Sequence, residues 1–153
     1  MRIALYQPDI PQNTGTILRM AACFGLEVDV IGPTGFSLTD AALKRAGLDY
    51  LEKAALVRHG SWEAFLETRS GATGRLVLFT TRAAHAHTGF AFSPDDVLLF
   101  GRESAGAPDA VHAAADARLK IPMVEGVRSL NLAVSVALAT GEALRQTDGF
   151  PTA

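Results

Sequence analysis

Three segments of the chain carry the side chains best suited to chemistry. The first is Asn13-Thr14-Gly15-Thr16-Ile17-Leu18-Arg19, directly after Pro8-Asp9-Ile10-Pro11; the second is Phe100-Gly101-Arg102-Glu103-Ser104-Ala105-Gly106-Ala107-Pro108. The third, Ile121-Pro122-Met123-Val124-Glu125-Gly126-Val127-Arg128-Ser129-Leu130-Asn131, ends a β-like run and opens onto the apolar stretch 132–144. A strand that delivers a polar turn to a helix N-terminus concentrates unpaired backbone N–H groups where a ligand can be held. In the first segment, Arg19 sits one to two turns into a helix, from which its guanidinium can reach an anion beyond a strand end. Glu103, between two glycines, is a hydrogen-bond acceptor for a ligand. The same residue types also serve plain structure: Asn13 or Thr14 suits one helix N-cap, Ser129 or Asn131 another, and Leu130 can fill a core.

Glycine spacing narrows the ligand. Gly101 and Gly106 are five positions apart, as in a P-loop, but Ala107-Pro108 replaces the Lys-Ser/Thr that must follow, so a nucleotide-triphosphate site is disfavoured. The Gly-x-Gly-x-x-Gly fingerprint is missing after the first apolar run, which also weakens an ordinary dinucleotide fold.

These segments need strands and helices to position them. Short apolar runs at 3–6, 28–31, 54–57, 76–80, 97–100 and 119–121 read as strands. Amphipathic stretches at 14–24, 40–46, 62–68, 108–114 and 132–146 read as helices, with Gly25, Gly32 and Gly47 at element ends and Pro108 in a first helical turn. The alternation predicts an α/β fold, a mostly parallel sheet flanked by helices, in one domain over 1–153. The stretch 81–96 reads as the longest loop, either a mobile cover or a solvent-exposed connection. All three polar segments follow apolar strands, where open parallel sheets gather ligand groups, so a common pocket is expected.

With 48% hydrophobic and 20% charged residues, the 153-residue chain suits one domain with a substantial core. A net charge of −2 and a pI near 6.1 argue against coating nucleic acid by bulk charge. Eleven of the 14 basic residues are Arg, which leaves room for a selective phosphate site. Cys23 is the single cysteine, and His85 and His87 are too isolated to suggest a metal. Neither a signal peptide nor a membrane-length apolar run is visible, so a cytosolic protein is expected.

At these motifs the chain resembles the SPOUT class of S-adenosylmethionine-dependent RNA methyltransferases. Asn13-Thr14-Gly15 with Arg19 is similar to the class's first motif, Phe100-Gly101 through Pro108 to its second, and Ile121-Pro122-Met123 through Asn131 to its third. Residues 6–11, Tyr6-Gln7-Pro8-Asp9-Ile10-Pro11, and 45–50, Arg45-Ala46-Gly47-Leu48-Asp49-Tyr50, resemble the TrmL-type branch that 2′-O-methylates the tRNA wobble nucleotide. The resemblance implies a C-terminal trefoil knot, a homodimer with tRNA bound across it, and leucine tRNAs as substrates. It places S-adenosylmethionine against Phe79, Thr80, Gly101, Glu103, Ile121, Met123, Ser129 and Leu130. It implies a catalytic set of Arg19, Asn13, Glu103, Ser129 and Asn131, and an RNA surface of Arg19, Lys44, Arg45, Arg102 and Arg128. Relatives in the class often carry Pro after the first glycine of the second motif and a basic residue before the second; this chain has Arg102 and Ala105 there, leaving Arg102 or Arg128 to compensate.

The implied reaction is transfer of an activated methyl group to a ribose 2′-hydroxyl, in which the protein mainly positions two substrates and helps the hydroxyl lose its proton. A guanidinium stays protonated, so Arg19 is expected to bind phosphate and stabilise the developing alkoxide rather than act as a base. The competing expectations are methylation at another tRNA or ribosomal RNA nucleotide, a noncatalytic RNA-binding module, and, more remotely, a nicotinamide oxidoreductase.

Overall fold

Seven parallel strands form one twisted sheet among the residues described by the computed structural model, 1–39, 41, 43 and 55–152. In chain order they are β1 (Arg2–Tyr6), β2 (Glu27–Ile31), β3 (Ala55–His59), β4 (Leu76–Phe79), β5 (His85–Ala86), β6 (Val97–Phe100) and β7 (Ala117–Lys120). Their order across the sheet is β3-β2-β1-β6-β4-β7-β5. Among the described residues four complete helices cover it: α1 (Pro11–Phe24), α2 (Trp62–Thr68), α3 (Asp109–Ala114) and α4 (Leu132–Gln146). The expected helix over 40–46, the RNA candidates Lys44 and Arg45, Gly47 and the rest of the 45–50 motif lie outside the described residues, Ala41 and Leu43 excepted.

Apolar runs become central strands because both sheet faces are covered. Side chains alternate across a strand. Ile3 and Leu5 of β1, Val77 and Phe79 of β4, and Leu98 and Phe100 of β6 therefore join one core with Ile17, Leu18 and Ala21 of α1 and Val136, Ala139 and Leu144 of α4. Ala4, Leu76, Leu78, Val97 and Leu99 join a second core with Trp62 and Phe65 of α2 and Val111 of α3. Each fully buried Leu or Val contributes about 1.5–3 kcal/mol, which fixes the strands that present the polar loops.

The helix ends follow their residues. Pro11 opens α1, where its missing N–H costs nothing, and Gly25 closes it at φ 66° while the N–H of Leu26 donates to the Ala21 carbonyl at 2.9 Å. Asn131 caps α4, its Oδ1 accepting from the N–H of Ala133 at 2.9 Å and of Val134 at 3.3 Å.

The stretch 81–96 is largely an exposed connection but not an irregular loop throughout. It contains β5, whose His85 and Ala86 pair with Leu119 and Lys120 of β7, followed by a 3₁₀ turn at His87–Gly89. Ala83, His87, Phe92 and Asp96 are buried and fasten the segment to the sheet, while most of its other residues are exposed, so it is a solvent-exposed connection anchored at a few points. A two-residue edge strand has no apolar run to announce it. Strands β1, β2 and β7 begin earlier than their apolar runs, at Arg2, Glu27 and Ala117; β3 spans Ala55–His59, and Pro108 is the N-cap of α3 rather than its first residue.

Candidate active site

The order β1-β6-β4-β7 sets the carboxyl ends of four neighbouring parallel strands side by side. The segments leaving these strands line one cleft of about 530 Å³: Ile10 and Asn13 after β1, Gly101 to Ala107 after β6, Thr80 and Thr81 after β4, and Ile121, Met123 and residues 128–131 after β7. Open α/β sheets bind ligands at this edge. The three polar segments are thus one site, as expected.

The middle loop is closed on itself. The Gly106 N–H donates to the Arg102 carbonyl at 2.8 Å, the Arg102 N–H returns a bond to Gly106 at 3.3 Å, and Gly106 takes φ 67°. A Cβ on Gly101 would stand 2.5 Å from both the Ala107 nitrogen and the Gly106 carbonyl carbon, so only glycine allows the loop to fold back. The result is a compact turn that holds Glu103 toward α1.

A hydrogen-bond chain ties the three segments together. Asn131 Nδ2 donates to Asn13 Oδ1 at 2.9 Å, and Asn13 Nδ2 donates to Glu103 Oε1 at 3.4 Å. The backbone N–H of Asp9 donates to Glu103 Oε2 at 2.9 Å. Ser104 Oγ donates to Asp9 Oδ2, and Arg102 Nη2 lies 3.4 Å from the same oxygen. Burial and contact with Asp9 push the Glu103 carboxyl above the usual glutamate range, against the opposing pull of the Asp9 N–H and the Asn13 amide. Asp9 is held down to about 2, first by its hydrogen bond with Glu103, with burial opposing and Ser104 and Arg102 assisting.

All eight residues expected to hold the cofactor line the cleft: Phe79, Thr80, Gly101, Glu103, Ile121, Met123, Ser129 and Leu130. Of the expected catalytic set, Asn13, Glu103, Ser129 and Asn131 line it as well. Arg19 does not; it is exposed on α1. Six residues beyond Asn13, it is about two thirds of a turn out of phase and about 9 Å further along the axis, away from the face that carries Asn13, Thr14, Ile17 and Leu18 inward. Among the expected RNA contacts, Arg102 and Arg128 face the cleft. Asp9 and Ser135 were missed. Ser135 was accessible to helical spacing, being one turn after Asn131, whereas Asp9 is linked to Glu103 across 94 residues by a contact that no local pattern signals.

The cleft fits a mixed ligand such as S-adenosylmethionine. Its volume is that of a small-molecule site, Phe79, Ile121, Met123 and Leu130 give it apolar wall, and Thr80, Ser129 and the Arg102 guanidinium give it polar groups. Arg102 Nε is buried without a partner, a donor left over after the protein's own bonds. Among the described residues no group of three or more His, Cys, Asp or Glu could hold a metal, and no helix is long and apolar enough to cross a membrane.

Fold and site together are those of an RNA methylase: residues 1–141 match the SpoU rRNA Methylase family, to which this chain belongs. It is 56% identical over 150 residues, 98% of its length and 95% of the relative's, to the tRNA (cytidine(34)-2'-O)-methyltransferase of Ancylobacter novellus. A solved structure that concerns the 2-OH methylation of C/U34 on tRNA superposes with a TM-score of 0.89 at 46% identity, covering 95% of this chain and 94% of that one. The SpoU methyltransferase AviRb from Streptomyces viridochromogenes, in complex with the cofactor AdoMet, gives 0.84 at 28% identity, covering 95% of this chain and 57% of that one.

Proposed function

We propose that this chain methylates the ribose 2′-hydroxyl of the nucleotide at tRNA position 34, cytidine or uridine, using S-adenosylmethionine. The observation that carries the reading is the convergence of the three motif segments on one cleft, joined through Asn131, Asn13 and Glu103, in a chain whose high-identity relative bears that activity in its name. Bound in the cleft, S-adenosylmethionine would supply a sulfonium-activated methyl group for the ribose oxygen, the electron pair of the broken C–S bond staying on sulfur and the hydroxyl proton passing to solvent.

The residues then divide the work. Phe79, Ile121, Met123 and Leu130 hold the adenosine part by apolar contact, and Thr80 and Ser129 orient it. Glu103, Asn13 and Asn131 form the polar wall against which the ribose is positioned. Arg102 and Arg128 contact phosphate at the mouth, and Arg19 engages RNA from outside the cleft. Positioning alone supplies much of the acceleration for an already activated donor.

The same reading includes a homodimer, a C-terminal segment threaded as a knot, a single domain working in the cytoplasm, and leucine tRNAs as substrates. Support for the dimer comes from Val134 and Leu138, which lie one turn apart on α4 and are each 47% exposed, and from Val124 and Val127, which are exposed in the segment that precedes α4. The deciding experiment is mass-spectrometric mapping of tRNA from cells lacking the protein, before and after incubation with the pure chain and S-adenosylmethionine. A new 2′-O-methyl group at the first anticodon nucleotide supports the assignment. Methylation elsewhere moves the substrate, and tight binding with no methylation favours a noncatalytic RNA-binding module.

A further inference from the structure

The sheet carries a cationic surface that the cleft does not include, on the side opposite α1 and α4. Leu119 of β7 joins the core beneath those two helices, so its neighbours Arg118 and Lys120 face the α3 side. Arg118 Nη1 donates to the His112 and Ala115 carbonyls at the end of α3. At the start of the same helix, Arg82 Nη1 lies 3.1 Å from Asp109 Oδ1, in a pair whose side chains are 62% and 90% exposed. Exposed ion pairs contribute little to stability, so folding gives Arg82 no strong reason to be there. Both guanidiniums act on His112, whose imidazole is held below its ordinary range first by burial and then by Arg82, with Asp109 opposing and Arg118 assisting. Asp116, two residues before Arg118, is turned to the Leu76 N–H at 2.7 Å. Arg82, Arg118 and Lys120 therefore bring three positive charges to a surface where Asp109 balances one.

We propose that Arg82, Arg118 and Lys120 form a phosphate-binding track for the single-stranded RNA that leads into the cleft. Their places in the fold carry the assignment. Arg82 follows Thr80 and Thr81, and its N–H donates to Thr80 Oγ1 at 3.2 Å. Lys120 directly precedes Ile121, and Asp109 comes two residues after Ala107. Thr80, Thr81, Ile121 and Ala107 all line the cleft, so the track continues its rim on the face of the sheet away from Arg19. The cations stand in the open along this rim rather than around a closed cavity, which suits a run of backbone phosphates better than one small anion. Contacts of this type position RNA without reading its sequence. The inference rests on RNA being the substrate, as proposed above, and assigns to it three residues outside the three motif segments.

The test is binding of fluorescently labelled tRNA, taken from cells lacking the protein, to the full chain at a series of salt concentrations. Arg82→Gln and Lys120→Gln each weaken binding roughly fivefold and lower the slope of log K against log salt by about 0.7, the value for one phosphate on a single strand. Asp109→Asn, which frees Arg82, moves the other way and tightens binding roughly two- to threefold. In turnover the loss appears in KM for tRNA rather than in kcat, because the track holds RNA and touches no reacting atom. Wild-type affinity and salt slope in Arg82→Gln with Lys120→Gln overturn the inference, and they are also the result expected if this surface serves a protein partner. Weaker binding by Asp109→Asn overturns it too, and that variant decides alone if the Gln variants fail to fold. A wild type that binds tRNA through these residues but leaves position 34 unmethylated overturns the proposed function and leaves the track standing. A wild type that methylates position 34 while the double variant binds normally does the reverse.

Discussion

Asn131 donates to Asn13 across 118 residues, and this one bond makes the cap of the last helix part of the cleft. The Oδ1 of Asn131 is occupied by the N–H groups of Ala133 and Val134, so its Nδ2 must face outward to Asn13. Asn13 is then oriented with its own Nδ2 toward Glu103. A capping residue, a helix residue and a loop carboxyl are thereby set by a single chain of amide orientations.

The two functions of Asn131 can be separated. Asn131→Asp keeps an acceptor for the α4 N-terminus but removes the donor to Asn13, so stability should stay within about 0.5 kcal/mol of wild type. Methylation should fall at least about tenfold as Asn13 loses its orientation. Asn131→Ala removes the cap as well, costing about 1 kcal/mol. For a chain of this length that lowers Tm by roughly 2–4 °C. Calorimetry and turnover on the two variants check both statements.

Arg19 stands outside the cleft of its own chain, which gives its variant a distinctive signature. Arg19→Ala should bind S-adenosylmethionine as the wild type does while losing RNA methylation. Calorimetric titration of the cofactor beside a turnover assay tests this. Near-normal turnover would remove Arg19 from the reaction.

Gly101 is where the middle loop presses hardest on the end of β6. Gly101→Ala places a Cβ against backbone atoms that cannot rotate away, an overpacking cost of about 1–3 kcal/mol. Opening the 102–106 turn also displaces Glu103 and Arg102, so cofactor affinity should fall together with Tm. Normal affinity in a destabilised variant would show that the turn is structural only.

Six of the seven strands were legible because Val, Leu and Ile runs have no other use in a covered parallel sheet, and the site was legible because its polar loops follow those runs. β5 was not, since His85 and Ala86 form a strand only by pairing with Leu119 and Lys120. The side of α1 on which Arg19 lies depends on how that helix packs against α4, and the tie between Asp9 and Glu103 depends on two loops meeting. Sequence spacing carries the periodicity of a helix but not its rotation relative to a cleft, and it carries no information on contacts between distant loops.

The carboxyl pair also shapes the dependence of stability on pH. Asp9 titrates at about 2 in the folded chain against an ordinary 3.8, so its contribution is complete above the ordinary value and is lost as pH falls through about 2. Glu103 is shifted upward, so its contribution is complete below the ordinary glutamate value and is lost as pH rises through its folded value. Urea midpoints measured against pH should therefore decline on the acid side for the wild type and decline less for Asp9→Asn. Identical acid limbs would show that Asp9 gains nothing from its partners.

Val134 and Leu138 provide the test of assembly. Both project from α4 on the side opposite Val136, Ala139 and Ala143, and each is 47% exposed, so neither is needed for the core of one chain. Apolar area of this kind is worth about 25 cal/mol per Å² only if another surface covers it. Leu138→Lys should leave Tm within about 2–4 °C of wild type, since an exposed helix position tolerates a long polar side chain. It should nevertheless shift the sedimenting species from dimer to monomer, because a charge buried without a partner at an interface costs far more than the contact it replaces. The adjoining segment 124–131 is exposed in the single chain and carries Ser129 and Leu130 of the cleft, so loss of the dimer should lower turnover as well. A wild-type chain that sediments as a monomer at working concentration would leave these residues without that role, whereas a monomeric variant with full turnover would show that each cleft works alone.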